Sequence, residues 1–163
     1  MAYDMFLKLD GIPGESLDDK HKDEIELQSF SWGESNSAAH LTTSGAGAGA
    51  GRVSMQDFHF TAQVSKATPL LMASCASGKH IATGQLTVRK SGEDRSGTEF
   101  LFYKFTTVVI SSVTQAGDIN DRPLDSVSLA FAKVAVEYKP QKADGSLGAV
   151  VNFAWDLKAN RKL

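Results

Sequence analysis

The chain has 163 residues, 42% of them hydrophobic and 22% charged, enough to form one domain with a core of its own and to exclude wholesale disorder. A formal net charge of −2 with no Lys/Arg cluster provides no field for a polyanion, so nucleic acid is not an expected partner. The single cysteine, Cys75, has no intramolecular mate, and no apolar run is long enough to span a bilayer, so folding in a reducing cytoplasm without membrane insertion is expected.

The N-terminus alternates apolar and polar residues and lacks the basic and apolar segments of a signal peptide. It reads as a strand in which Tyr3, Met5, Leu7 and Leu9 share one face, Asp4, Lys8 and Asp10 the other, with Phe6 the exception. Gly11-Ile-Pro-Gly14 breaks it, and Glu15 to Glu24 reads as a charged surface connection. Asp18, Asp19, His21, Asp23 and Glu24 have no ligand spacing there and are interleaved with Lys20 and Lys22, so no metal is expected.

In the second strand, from Ile25 to Trp32, apolar residues sit first at odd positions (Ile25, Leu27) and then at even ones (Phe30, Trp32). The stretch from Arg52 to Val64 behaves alike, with Val53 and Met55 giving way to Phe58, Phe60, Ala62 and Val64. A change of parity flips the buried face, so each switch predicts a β-bulge or a strand bending between two sheets. Between these strands lies a connection over about 35–52, far longer than the usual hairpin loop of about 2–5 residues. From Gly45 to Gly51 it alternates Gly and Ala, a composition whose ordering is entropically costly. Such a loop fits close backbone approach to a neighbouring subunit and, equally, a solvated connection.

Thr68-Pro69 opens a helix, with Leu70, Leu71, Met72, Cys75 and Ala76 at helical spacing, Ser65 an alternative N-cap and Gly78 a suitable terminator. Cys75, four residues after Leu71, reads as a small buried hydrophobe. Gln85–Lys90 is then a strand, and Glu99–Val113 a longer one that is apolar on both faces: Leu101, Tyr103, Phe105 and Val109 against Phe100, Phe102, Val108 and Ile110. Such a strand needs cover on both sides, more than one short helix provides, so part of the cover is expected from another chain. Gln115–Pro123 reads as an ordinary polar turn, without the acidic spacing of a calcium loop. Ser126–Tyr138 shifts parity again at Lys133, Ala143–Ser146 is a turn, and Val151, Phe153, Trp155 and Leu157 alternate in a last strand before a fraying polar tail, Lys158–Leu163.

Chemistry-bearing motifs are scarce. Gly45-Ala-Gly-Ala-Gly-Ala50 matches a nucleotide-binding signature formally but precedes a strand pattern, where no helix N-terminus would meet a pyrophosphate. His21, His40, His59 and His80 show no ligand spacing, and no nucleophile motif is present, so no catalytic residue, cofactor or metal is expected. If Phe30, Trp32, Phe58, Phe60, Ala62 and Val64 point inward, then Ser29, Ser31, Gly33, His59, Thr61 and Gln63 form an opposite face that is small, polar and almost uncharged. That face suits the wall of a wet channel and equally a solvated sheet.

The sequence resembles the Hcp family, the haemolysin-coregulated tube subunits of bacterial type VI secretion. The resemblance is carried by Met5-Phe-Leu-Lys-Leu9, Ile12-Pro-Gly-Glu-Ser16, His21, Glu24-Ile-Glu26, Ser31-Trp-Gly33, Gln56-Asp-Phe58, Ser65-Lys-Ala-Thr-Pro69, Ser77-Gly-Lys-His80, Leu86-Thr-Val-Arg-Lys90, Asp125-Ser-Val-Ser-Leu129, Val136-Glu-Tyr138 and Pro140-Gln-Lys-Ala-Asp-Gly145. It implies a single mainly β domain over 1–163, a two-sheet β-barrel with one short flanking α-helix. Six copies would close into a ring, and rings would stack into a hollow tube with a contractile sheath, baseplate components and a VgrG spike as partners. The tube would hold small effectors in its lumen and leave the bacterial cytoplasm through the machine, without a cleaved signal peptide. Ser29, Ser31, His59, Thr61 and Gln63 would then face the lumen, and the long loop would reach an adjoining subunit or ring, with His40, Leu41, Thr42, Gly45, Gly47, Gly49, Gly51 and Arg52 as contacts. The chain stops just past its last strand, so a carrier rather than a toxin is expected. A monomeric ligand-binding β-barrel is the alternative, and a β-fold hydrolase the third reading.

Overall fold

A computed structural model describes residues 2–36, 52–91 and 98–163. The described strands are β1 (Tyr3–Leu9), β2 (Ile25–Ser31), β3 (Glu34–Asn36), β4 (Val53–Met55), β5 (Phe58–Gln63), β6 (His80–Lys90), β7 (Glu99–Ala116), β8 (Leu124–Tyr138), β9 (Val151–Asp156) and β10 (Arg161–Lys162); helix α1 is Ala67–Ser77. Six strands close into an antiparallel barrel in the order β8-β5-β2-β1-β6-β7, with β7 returning to β8. β3 and β4 form a separate small ribbon.

The expected parity switches are resolved in three ways. In β2 the pairing with β5 slips between Leu27 and Ser29, so a bulge at Gln28 turns both Leu27 and Phe30 toward the core. Val53–Met55 and Phe58–Gln63 are not one bent strand but two, belonging to different sheets. On β8, the edge opposite β7 is shared in succession: residues 124–129 pair with β5 and 133–138 with β9, and the inward set passes from Val127, Leu129 and Phe131 to Val134.

Part of the two-faced pattern of β7 comes from the strand turning over. Thr107 adopts φ +54 and lies beside Thr106 with both exposed, which shifts the inward parity from Phe105 to Val108 and Ile110. Phe102, Phe105, Val108 and Ile110 are all buried within the single chain. Phe100, Leu101, Tyr103 and Val109 of the same strand stay partly exposed.

The barrel is filled rather than hollow. Phe58, Phe60, Phe105, Leu7, Leu86 and Leu129 are each 1% exposed or less. At one end Phe30, Phe58, Tyr103, Phe105, Phe131 and Trp32 contact one another with ring centroids 4.9–6.3 Å apart. α1 packs against β7 and places Ala67 and Leu71 in the core, leaving Leu70 and Met72 40% exposed. Lys66 holds the N-cap position, and the preceding Ser65 hydroxyl accepts the Ala67 N–H at 3.2 Å. Gly78 at φ +67 ends the helix, with the Gly78 and Lys79 N–H groups returning to Cys75 and Ser74 carbonyls. Cys75 is half-buried against the core.

Three sequence expectations are corrected. β6 starts at His80 rather than Gln85, its first residues pairing with Val109 and Val108 of β7, and Gly84 within it lets Leu9 approach to where a Cβ would sit 2.9 Å from its Cδ2. The tail does not simply fray: Asn160, at φ +51, reverses the chain so that Arg161 and Lys162 pair with Asp156 and Trp155, while the Asp156 carboxylate accepts the Ala159 N–H at 2.9 Å. Nor is residues 14–24 a plain surface connection. It is a strap over the outer side of β1 and β6 that buries Ser16 and His21, stacks the His21 ring on Phe6 and pairs Asp18 with Arg89.

Candidate functional site

The bulge in β2 and the inward Phe58, Phe60 and Ala62 of β5 force the intervening residues outward, and cross-strand partners share a face. Ser29 stands opposite Thr61, and Ser31 opposite His59. The two hydroxyls of the first pair lie 2.6 Å apart. On the other side of β5, His59 faces Ser128 and Thr61 faces Ser126, with His59 Nδ1 3.1 Å from Ser128 Oγ. Arg122, at the rim, donates to Gln63 Oε1 at 3.1 Å. The structure thus brings all five sequence-derived face residues onto one surface outside the barrel.

That surface is wider than the sequence reading had it. Ser128 pairs with Ser112 and Ser126 with Thr114, so small hydroxyl side chains continue across β8 onto β7. The alternation Ser126-Val-Ser-Leu129, with both leucine and valine fully buried, carried that signal. The register slip between Ile110 and Ser112 concealed it on β7, because a bulge there breaks the alternation. Hydroxyl groups of this kind donate and accept, and the facing pairs Ser29–Thr61, Ser31–His59, His59–Ser128, Thr61–Ser126, Ser112–Ser128 and Thr114–Ser126 hold no Lys, Arg, Asp or Glu, with His59 the one titratable group among them. What these pairs offer is hydrogen-bonding groups rather than a field.

Of the loop contacts read from sequence, His40, Leu41, Thr42, Gly45, Gly47, Gly49 and Gly51 lie outside the described residues. Arg52 is described, and its guanidinium donates to the Leu157 carbonyl of the same chain at 3.1 Å. Beside it, Val53 and Asn36 of the small ribbon and Phe153 and Trp155 of β9 border a hollow of about 330 Å³.

The second polar assembly lies on the far wall, under the strap. Arg89, 6% exposed, donates from Nε to Asp4 and from both terminal nitrogens to Asp18. These hydrogen bonds hold the Asp18 carboxyl below the usual carboxylate range. At the aromatic end, burial pushes the Tyr103 phenol upward. Among the described residues, no three His, Cys, Asp or Glu side chains are grouped to hold a metal ion, and no helix is long and apolar enough to cross a membrane.

Residues 6–138 match the family model for the type VI secretion system effector Hcp. The chain is 43% identical over 162 residues to protein hcp1 of Pseudomonas aeruginosa, covering 98% of each. Its fold is similar to a solved type six secretion system protein with a TM-score of 0.90 at 32% identity, covering 99% of this chain and 100% of that one. The crystal structure of Hcp1 from Salmonella typhimurium is similar at 34% identity with a TM-score of 0.79, each chain covered in full. A barrel closed by the same six strands, matched along nearly its whole length by sequence and by structure, makes this chain a member of the Hcp family of type VI secretion.

Proposed function

We propose that the chain is the structural subunit of a type VI secretion tube, six copies closing into a ring and rings stacking into a hollow tube. The hydroxyl face of β2, β5, β8 and β7 lines the lumen, where small effector proteins rest during export. The sheath, baseplate and VgrG spike engage the assembled tube, which leaves the cytoplasm through the machine. The observation that carries this reading is the combination of near full-length family similarity with a face of facing Ser, Thr and His59 side chains, on the outside of a barrel that is itself solid. An uncharged, hydrogen-bonding wall holds varied cargo without the strong field that would trap it.

The filled interior also argues against the monomeric ligand-binding barrel, since Phe58, Phe60 and Phe105 occupy the space in which a calyx would open. Sedimentation or light scattering on the purified protein tests the ring. A hexamer of the 17.5 kDa chain has six times that mass, about 105 kDa, and appears as a closed ring by electron microscopy. A single 17.5 kDa species at high concentration overturns the proposal.

A further inference from the structure

We propose that His21 is a proton-operated latch that fastens the 14–24 strap to the barrel wall. The ring lies flat on Phe6, with centroids 4.4 Å apart and planes 7° from parallel, and the residue is 7% exposed. Its Nδ1 is 2.9 Å from Glu24 Oε2, on the strap, and its Nε2 is 2.9 Å from Glu99 Oε1, at the start of β7. Ionised carboxylates only accept hydrogen bonds, so both contacts are made together only when both ring nitrogens carry hydrogen. The imidazolium therefore ties two segments 78 residues apart in sequence.

The surroundings isolate this contact. β1 turns Asp4 and Lys8 toward the Phe6 side, β2 turns Glu26 there, β6 contributes Arg89, and the strap contributes Asp18. Arg89 is occupied by Asp4 and Asp18, and Asp18 also accepts the His21 backbone N–H. Glu24 and Glu99 are thus the two acceptors left for the ring. Removing a ring proton leaves one carboxylate facing a lone pair, and protonating either carboxylate removes the charge from a bond. Within the strap the Ser16 N–H donates to the Glu24 carbonyl and the Asp23 N–H to the Ser16 carbonyl, and these bonds loosen when the latch opens. Release uncovers Phe6, which lines a depression of about 990 Å³ that Leu17, 92% exposed with the strap in place, also borders.

The latched state binds one proton more than the released state, so linkage requires the latch to weaken as rising pH strips the ring. The test is ring-nitrogen NMR on the full-length protein through a pH series, with amide exchange of Ser16, Asp23 and Glu24 read as protection factors. Both His21 nitrogens are expected to show imidazolium shifts wherever the strap is protected. Protection should then fall about tenfold per pH unit once the proton is lost, while barrel amides stay unchanged. In Glu99→Gln the ring should titrate at lower pH than in the wild type, and in His21→Gln strap protection should no longer follow this titration. A neutral ring under a protected strap, an unmoved titration in Glu99→Gln, or the same pH profile in His21→Gln would each overturn the latch.

Discussion

Arg89 and Asp18 show how one buried cation can organise a segment that composition alone assigns to solvent. Glu15 to Glu24 is rich in charge, yet its charged and polar groups answer groups fixed on the barrel: Asp18 meets Arg89, and His21 meets Glu99. Gly14 is required where the strap begins, because a Cβ there would sit 2.3 Å from the Glu24 carbonyl oxygen. Replacing Arg89 by Leu strands the Asp18 and Asp4 carboxylates and is expected to cost about 2–4 kcal/mol in urea denaturation. The pH dependence has a definite sign. Asp18 is held below its unfolded value by Arg89, so its contribution is present above that value and is lost as the pH falls through the folded one. Stability should decline on acidification below about pH 4 more steeply in the wild type than in Asp18→Asn, which starts lower at neutral pH. Parallel denaturation curves for the two proteins in acid would refute this.

At the scale of elements, β7 shows where strand patterns mislead. A β-branched residue at φ +54 is strained by about 1–2 kcal/mol, and the barrel retains it because the kink brings Phe105, Val108 and Ile110 into one core. Asn tolerates this conformation better than Thr, so Thr107→Asn is expected to raise the melting temperature by about 2–4 °C with the core intact. A lowered melting temperature would mean that Thr107 makes compensating contacts. The same switch explains what could be read from sequence. Strand positions, the helix and the bulge near Gln28 were legible because apolar parity records burial directly. The apparent two-faced strand was not, since parity cannot distinguish a strand buried on both sides from one that turns over. The strap was equally hidden: its partners Arg89 and Glu99 are about 70 to 80 residues away in sequence, and only the barrel's closure brings them near. The pairing of Arg161 and Lys162 with β9 depends on a reversal at Asn160 that a polar composition does not reveal.

At the scale of the whole molecule, the barrel uses its inside for stability and leaves one outer face small and polar. Its bulky side chains are consumed in the core, so this face is left with serine, threonine, Gln63 and one histidine. Five of these positions were legible in the sequence; Ser112, Thr114, Ser126 and Ser128 needed the register of the long β7–β8 hairpin to join them. If this face forms the lumen, cargo contacts it through many small hydrogen-bonding groups, and a large side chain at its centre should exclude cargo by volume without disturbing the core behind it. Ser31 is exposed on the face and paired with His59 across the ladder, so Ser31→Trp tests this directly. Rings should form with wild-type mass, and co-purified effector should fall at least about tenfold, equivalent to some 1.4 kcal/mol of lost binding. Thr61→Gln should act in the same direction, whereas Lys8→Gln, on the opposite wall, should leave retention unchanged. Equal effector retention in intact rings of Ser31→Trp and the wild type would place the cargo surface elsewhere, because no flexible rearrangement of a rigid, hydrogen-bonded ladder makes room for an indole in a contact that serine had filled.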